Sequence, residues 1–145
     1  MSNTSPQTPT KLQLLELLAA IGTAQWREFA AAASHHGLTS TQARVLAQLD
    51  GPVPMRGLAA LLVCDASNVT GIVDRLEARA LVRREADPAD RRVKNVVATD
   101  AGRDVIRRVR EEMQAMHGAL DTLDEAESAT LYALLGRLRP SMEKA

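Results

Sequence analysis

Aromatic residues are nearly missing. Trp26, Phe29 and Tyr132 are the only members of their kinds in 145 residues. A core without rings must be filled by Leu, Val and Ala, which suits closely packed helices better than a β-sandwich. Cysteine is as scarce: the single Cys64 excludes an internal disulfide framework and a Cys-rich zinc module, and it suits a reducing, cytoplasmic setting. No apolar run approaches the roughly 20 residues of a membrane span, so no membrane partner is expected. Residues 1–10 are polar and lack the basic start and apolar stretch of a signal peptide, which reads as a short mobile tail. There is no GxSxG, no phosphate-binding Gly loop and no HExxH. The expectation is a protein that is not an enzyme and carries no cofactor and no metal.

Net charge is also missing, but its distribution is uneven. Residues 56–110 hold twelve Lys/Arg against eight Asp/Glu, whereas residues 111–145 hold three against seven. A basic middle and an acidic end suggest one face for an anion and another for something else. A random fluctuation would look the same, so the pattern needs support from residue spacing.

That spacing is mainly helical. Leu12, Leu15, Leu18, Ala19, Gly22, Trp26, Phe29 and Ala33 share one face of a long first helix, about Lys11 to Ser34, which stops at His35-His36-Gly37. Thr39 to Gln42 fits a capping box, followed by a helix that buries Val45, Leu46 and Leu49 and breaks at Asp50-Gly51-Pro52. A short helix opening at Pro54-Met55 keeps Leu58, Ala59, Leu61 and Leu62 inside. Val63 and Cys64 make a tight connection, and Asp65 caps the next helix. There Val69, Ile72, Val73 and Leu76 form an apolar stripe, opposite Ser67, Asn68, Thr70, Gly71, Asp74 and Arg75. Two short helices joined by a tight turn, the second with a polar outer face, make a helix-turn-helix. Two strand-like runs follow, Val82 to Ala86 and Val93 to Ala98, around an Asp87-to-Arg92 turn. A hairpin in that place is a wing. Thr99 caps a helix that buries Val105, Ile106, Val109 and Met113, and Asp124 to Glu127 is a second capping-box start, leading into Leu131, Leu134, Leu135, Leu138 and Met142. The expected fold is mainly α with a small β wing: a winged helix-turn-helix flanked by long helices whose apolar faces suggest a dimer interface.

The run Leu58-Ala59, then Asp65 to Glu77, resembles the recognition helix of MarR regulators. Asp87 to Arg92 followed by Val97 to Gly102 resembles their wing, and Gly37-Leu38-Thr39 with Gln42 extends the likeness. The resemblance implies one MarR-type domain over 11–145, with a winged-helix part at 38–100 and dimerisation helices at 11–36 and 101–145. It also implies a homodimer that binds double-stranded DNA, a repressor, with a crevice for a small phenolic or aromatic effector. Two positions depart from the family pattern. Ala80 stands where members usually end the recognition helix with Gly, and Met55 where the third helix usually opens with Ser or Thr.

The expected DNA-facing residues are Ser67, Asn68, Thr70, Gly71 and Arg75 on the recognition helix and Asp90, Arg91, Arg92 and Lys94 in the wing. Asn68 can pair with adenine, and the Thr70 methyl can touch a thymine methyl. Gly71 would let the helix backbone approach the duplex. Arg75 serves a phosphate, or else a structural bond near Asp74 or Glu77. Arg92 suits the minor groove, with Asp90 pinning its guanidinium. Arg83, Arg84, Arg91 and Lys94 serve phosphates or solvent. Trp26, Phe29 and His36, with Arg27 as a further candidate, could wall the effector crevice, and Trp26 is at least as well suited to a dimer core. Cys64 reads as packed and inert, with oxidant sensing as the alternative. His35, His36 and His117 with Glu28 or Glu112 could bind a metal, but adjacent histidines after a helix are more often surface residues. A winged helix that has lost DNA affinity and binds protein is the rival function.

Overall fold

The computed structural model describes residues 8–62 and 66–142, for 66, 67 and 140–142 the backbone alone. Residues 1–7, Val63, Cys64 and the expected Asp65 cap lie outside the described residues. The chain falls into two compact units, residues 1–112 and 113–145.

The first unit runs α1 (Lys11–His35), α2 (Ser40–Ala47), β1 (Val53–Pro54), α3 (Met55–Leu62), α4 (Ala66–Ala78), β2 (Val82–Ala86), β3 (Lys94–Ala98) and α5 (Asp100–Glu111). Its core is aliphatic, as the lack of rings demands: Val45, Leu58, Val69, Val73, Leu76, Val82, Val96 and Val109 are fully buried, and Phe29 is the one buried ring among the described residues. Each such side chain contributes roughly 1.5–3 kcal/mol by leaving water. The expected α4 stripe is thus confirmed. Leu61 is not inside as expected: it is 49% exposed, because Leu58 and Leu62, one turn apart, are the buried pair of α3.

Local signals account for several boundaries. Thr39 and Gln42 exchange both capping-box bonds, and Thr99 accepts the Gly102 amide. Thr10 and Gln13 form a further capping box that sequence reading passed over. β1 was also unforeseen, since two residues show no alternation. It pairs antiparallel with β3, Val53 opposite Val96 and Pro54 opposite Asn95, in a sheet of order β1-β3-β2. Pro54 is tolerated there because β1 is an edge strand.

The helices α1 and α4 end alike. After α1, Leu38 N–H reaches Ala33 O and Gly37 N–H reaches Ser34 O; after α4, Leu81 N–H reaches Leu76 O and Ala80 N–H reaches Glu77 O. These paired bonds are Schellman motifs, which need a left-handed residue at the turn. Gly37 supplies φ 69° and Ala80 supplies φ 55°. The Arg79 guanidinium donates to Gly37 O at 2.7 Å and so ties the two ends together.

The second unit holds α6 (Gln114–Leu120) and α7 (Glu125–Met142). The sequence suggested two helices after the hairpin; among the described residues there are three, because the chain leaves helical geometry at Met113, φ −77° and ψ 60°. Asp124 and Glu127 form the expected capping box at the start of α7. Along α7, Leu131, Leu134, Leu135 and Leu138 are exposed, and so, along α1, are Leu12, Leu14, Leu15, Leu17, Leu18 and Ile21. No helix among the described residues is long and apolar enough to cross a membrane.

Candidate nucleic-acid interface

The buried stripe of α4 fixes which side the helix presents. With Val69, Ile72, Val73 and Leu76 inside, Asn68, Thr70, Asp74 and Arg75 are exposed and Gly71 half-exposed. Ser67 lies in α4, its side chain outside the described residues. A Cβ at Gly71 would meet nothing within 4 Å. Packing inside the chain therefore does not require this glycine, although glycine in a helix interior costs about 1 kcal/mol relative to alanine.

The wing turn is held by Asp87. Its carboxylate accepts the amides of Ala89 at 2.8 Å and Asp90 at 3.2 Å and the Asn95 side-chain amide at 2.9 Å. These donors, the Asn95 bond first, hold the Asp87 carboxyl below its ordinary pKa. Asp90 does not pin the Arg92 guanidinium as expected. Its Oδ1 accepts the Arg92 backbone N–H at 3.0 Å, and Val93 N–H closes on Asp90 O. Asp90 thus shapes the loop that carries Arg92, leaving that guanidinium to reach outward.

The charges sort themselves by pairing. Arg84 crosses from β2 to α4, donating to Asp74 at 2.6 Å and to Glu77 at 2.8 Å, and Glu77 also accepts the Arg84 amide. Asp74, ahead of Glu77, raises the Arg84 pKa. The structural bond considered for Arg75 belongs instead to Arg84, which is not a solvent or phosphate group as expected. Arg83 pairs with Glu85. On α5, Arg103 pairs with Asp100, Arg107 with Asp104 and Glu111, and Arg108 with Asp104. Five cations of the helix-turn-helix and wing make neither a side-chain hydrogen bond nor an ion pair among the described residues: Arg56, Arg75, Arg91, Arg92 and Lys94. Four of these were expected from sequence. Arg56 was missed because its neighbour across the sheet, β3, becomes visible only with β1.

The expected effector residues divide. Trp26 and Phe29 rings lie 5.8 Å apart, centroid to centroid, and the Arg44 guanidinium sits 5.2 Å from the Trp26 centroid. His36 instead turns to Glu112: Nε2 lies 2.7 Å from Oε1, while His35 Nδ1 lies 3.1 Å from Oε2. The two histidines, His35 foremost, hold the Glu112 carboxyl below its ordinary pKa.

The MarR family model matches residues 38–94, from just before α2 to the first residue of β3. A probable transcriptional regulator from Pseudomonas aeruginosa is 34% identical, with a TM-score of 0.62 over 87% of this chain and 96% of its own. This chain belongs to the MarR family. The HTH-type transcriptional regulator MhqR of Bacillus subtilis is 35% identical over 69 residues, 46% of this chain and 48% of that protein, so the match spans about half of that curated relative. CouR from Rhodococcus jostii RHA1, solved bound to p-coumaroyl-CoA, is 29% identical, with a TM-score of 0.66 over 88% of this chain and 87% of its own.

Two MarR positions acquire a physical reason here. The Thr-x-x-Gly run is a joint between recognition helix, wing and α5. Thr99 Oγ1 donates to Ala80 O at 2.6 Å while accepting from Gly102 N–H, and Thr99 N–H reaches Leu81 O. A Cβ at Gly102 would fall on the Leu81 carbonyl oxygen, so only glycine lets α5 start this close. The MarR glycine at the end of the recognition helix is likewise explained by the left-handed turn that Ala80 makes in its place.

Proposed function

We propose that this MarR-family chain is a cytoplasmic transcription repressor that binds a pseudo-palindromic operator as a homodimer and is released by a small aromatic or phenolic acid. One observation carries the reading. Asp74 and Glu77 are engaged by Arg84, Glu85 by Arg83, and Asp87 and Asp90 by wing-turn amides, while Arg56, Arg75, Arg91, Arg92 and Lys94 have no side-chain partner among the described residues. A polyanion with regularly spaced charge satisfies such a set.

In this reading α4 enters the major groove, where Asn68 and Thr70 meet base edges and Gly71 admits close approach of the backbone. Arg75, Arg91 and Lys94 meet phosphates, and Arg92 enters the minor groove. A second copy covers the exposed leucines of α1 and those of α7, each helix leaving a row of large apolar side chains in water. The effector stacks near Trp26 and Phe29, with Arg44 as counter-ion to its carboxylate. The aromatic acyl group of the p-coumaroyl-CoA bound to CouR supports the stacking part of this reading.

The test is a mobility-shift titration with DNA upstream of the chain's own gene, followed by the same site with its half-site separation changed by five base pairs. Two dyad-related helices need half-sites about one helical turn apart, so affinity should fall to the level of random DNA. Equal affinity for both spacings would remove the two-fold docking. Failure to bind any duplex would put the protein-binding reading first.

A further inference from the structure

Pairing of β1 with β3 brings the start of α3 against the base of the wing. Pro54 lies opposite Asn95, so Met55 and Arg56 follow directly beside Lys94. A cleft of about 340 Å³ opens there, lined by Pro54, Met55, Arg56, Arg92, Val93 and Lys94. Half of these residues are cationic, none is acidic, and none of the three cations has a side-chain partner among the described residues. Unrelieved like charges around one cleft repel one another, so the arrangement costs energy until an anion fills it. Pro54, just before α3, has no side-chain acceptor to cap the helix, and the positive end of the α3 dipole adds to the same field.

We propose that this cleft takes one phosphodiester of the DNA backbone, held between Arg56 of α3 and Lys94 of β3. This rests on the DNA-binding reading above and deepens it. Arg92, at the rim, continues from the held phosphate toward the groove. The grip couples the wing to the helix-turn-helix: the two elements can settle only on a duplex whose backbone passes between them. Arg56 is therefore a positioning residue for the wing. It contributes affinity without base preference.

The experiment is a salt series on the full chain with a mixed-sequence 30-base-pair duplex, which reads phosphates alone. Each neutralised phosphate contributes about 0.9 to the slope of log affinity against log salt. Arg56→Gln should lower the slope by about one unit per subunit, a difference between 50 and 200 mM KCl of about fourfold per subunit and about sixteenfold for a bound dimer. Arg56→Lys should keep the slope. Lys94→Gln added to Arg56→Gln should cost less than the two single changes together, because both act on one phosphate. Thermal midpoints of the free protein should not fall below wild type, since both side chains are exposed and each change removes a like charge from the cleft. An unchanged slope in Arg56→Gln, with wild type binding the duplex steeply, would overturn the proposal and leave the DNA reading standing. Strict additivity of the two variants would overturn the shared phosphate. If Arg56→Gln weakens binding of inorganic phosphate but not of the duplex, the cleft is a free-anion site and the proposal is overturned. Absence of duplex binding by wild type would remove the DNA reading and the proposal with it.

Discussion

The helices α1 and α4 carry the same kind of apolar pattern and meet opposite fates. Val69, Ile72, Val73 and Leu76 of α4 are buried by their own chain, whereas Leu12, Leu15 and Leu18 of α1 stay 39–64% exposed and burial begins only at Phe29. Periodicity names the face that avoids water but not what covers it. In α4 the cover is α2, α3 and β2; along the first four turns of α1 no described residue of the first unit supplies one. Both helices then stop in the same way, one with glycine and one with alanine. The pair therefore separates three physical quantities: burial, backbone conformation and helix propensity.

Burial gives the largest contrast. Leu76→Ala should cost about 2–5 kcal/mol, because it leaves a cavity in a filled core. Leu15→Ala should cost no more than about 0.5 kcal/mol in the monomer. Denaturant midpoints measured across a hundredfold range of protein concentration sharpen the comparison. If a second copy covers α1, the Leu15→Ala deficit should appear only where wild type is associated, and sedimentation should show weaker association. A large deficit independent of concentration would mean that the chain itself covers Leu15, and the contrast would break.

The contrast explains what could be read in advance. Capping boxes at Thr39 and Asp124, the Thr99 cap, the α4 stripe and the turn at Asp87 are all set by neighbours within a few residues, so spacing sufficed. β1 escaped because a two-residue strand has no period, and with it went Arg56. Arg84 was misjudged because its partners lie seven and ten residues away on another element. A cation's role depends on whether a carboxylate is folded against it, and sequence does not show that. Asp90 was assigned the right neighbour and the wrong atom: the loop turns so that the Arg92 amide, not its guanidinium, faces the carboxylate.

The second contrast is at the helix ends. An L-residue in the left-handed region costs about 1–2 kcal/mol, and glycine returns part of that gain through its freer unfolded chain. Ala80→Gly should therefore stabilise the protein by about 0.5–1 kcal/mol, and Gly37→Ala should destabilise it by a similar amount. At Gly37 the new Cβ would stand 3.5 Å from the Arg79 guanidinium, an ordinary contact, so the cost there is conformational. Calorimetry on both variants checks the pair. Equal signs would show that the two turns, alike in hydrogen bonding, differ in strain.

A third contrast separates the two faces by what each meets outside the chain. Gly22 of α1 and Gly71 of α4 both sit in helix interiors, and a Cβ at either would find open space. By propensity alone each change to alanine should stabilise its helix by up to about 1 kcal/mol. Neither glycine is thus explained by the chain's own packing. If Gly71 lies against a duplex, Gly71→Ala should raise the thermal midpoint while lowering affinity for operator DNA, since the methyl group holds the α4 backbone off the groove. If Gly22 lies against a second copy, Gly22→Ala should leave DNA affinity per dimer unchanged and shift the monomer–dimer equilibrium seen in sedimentation. A Gly71→Ala protein that is more stable and binds the operator as well as wild type would leave the close approach of α4 without support. An exchange of the two outcomes, with Gly22 governing DNA affinity and Gly71 governing association, would invert the assignment of faces altogether.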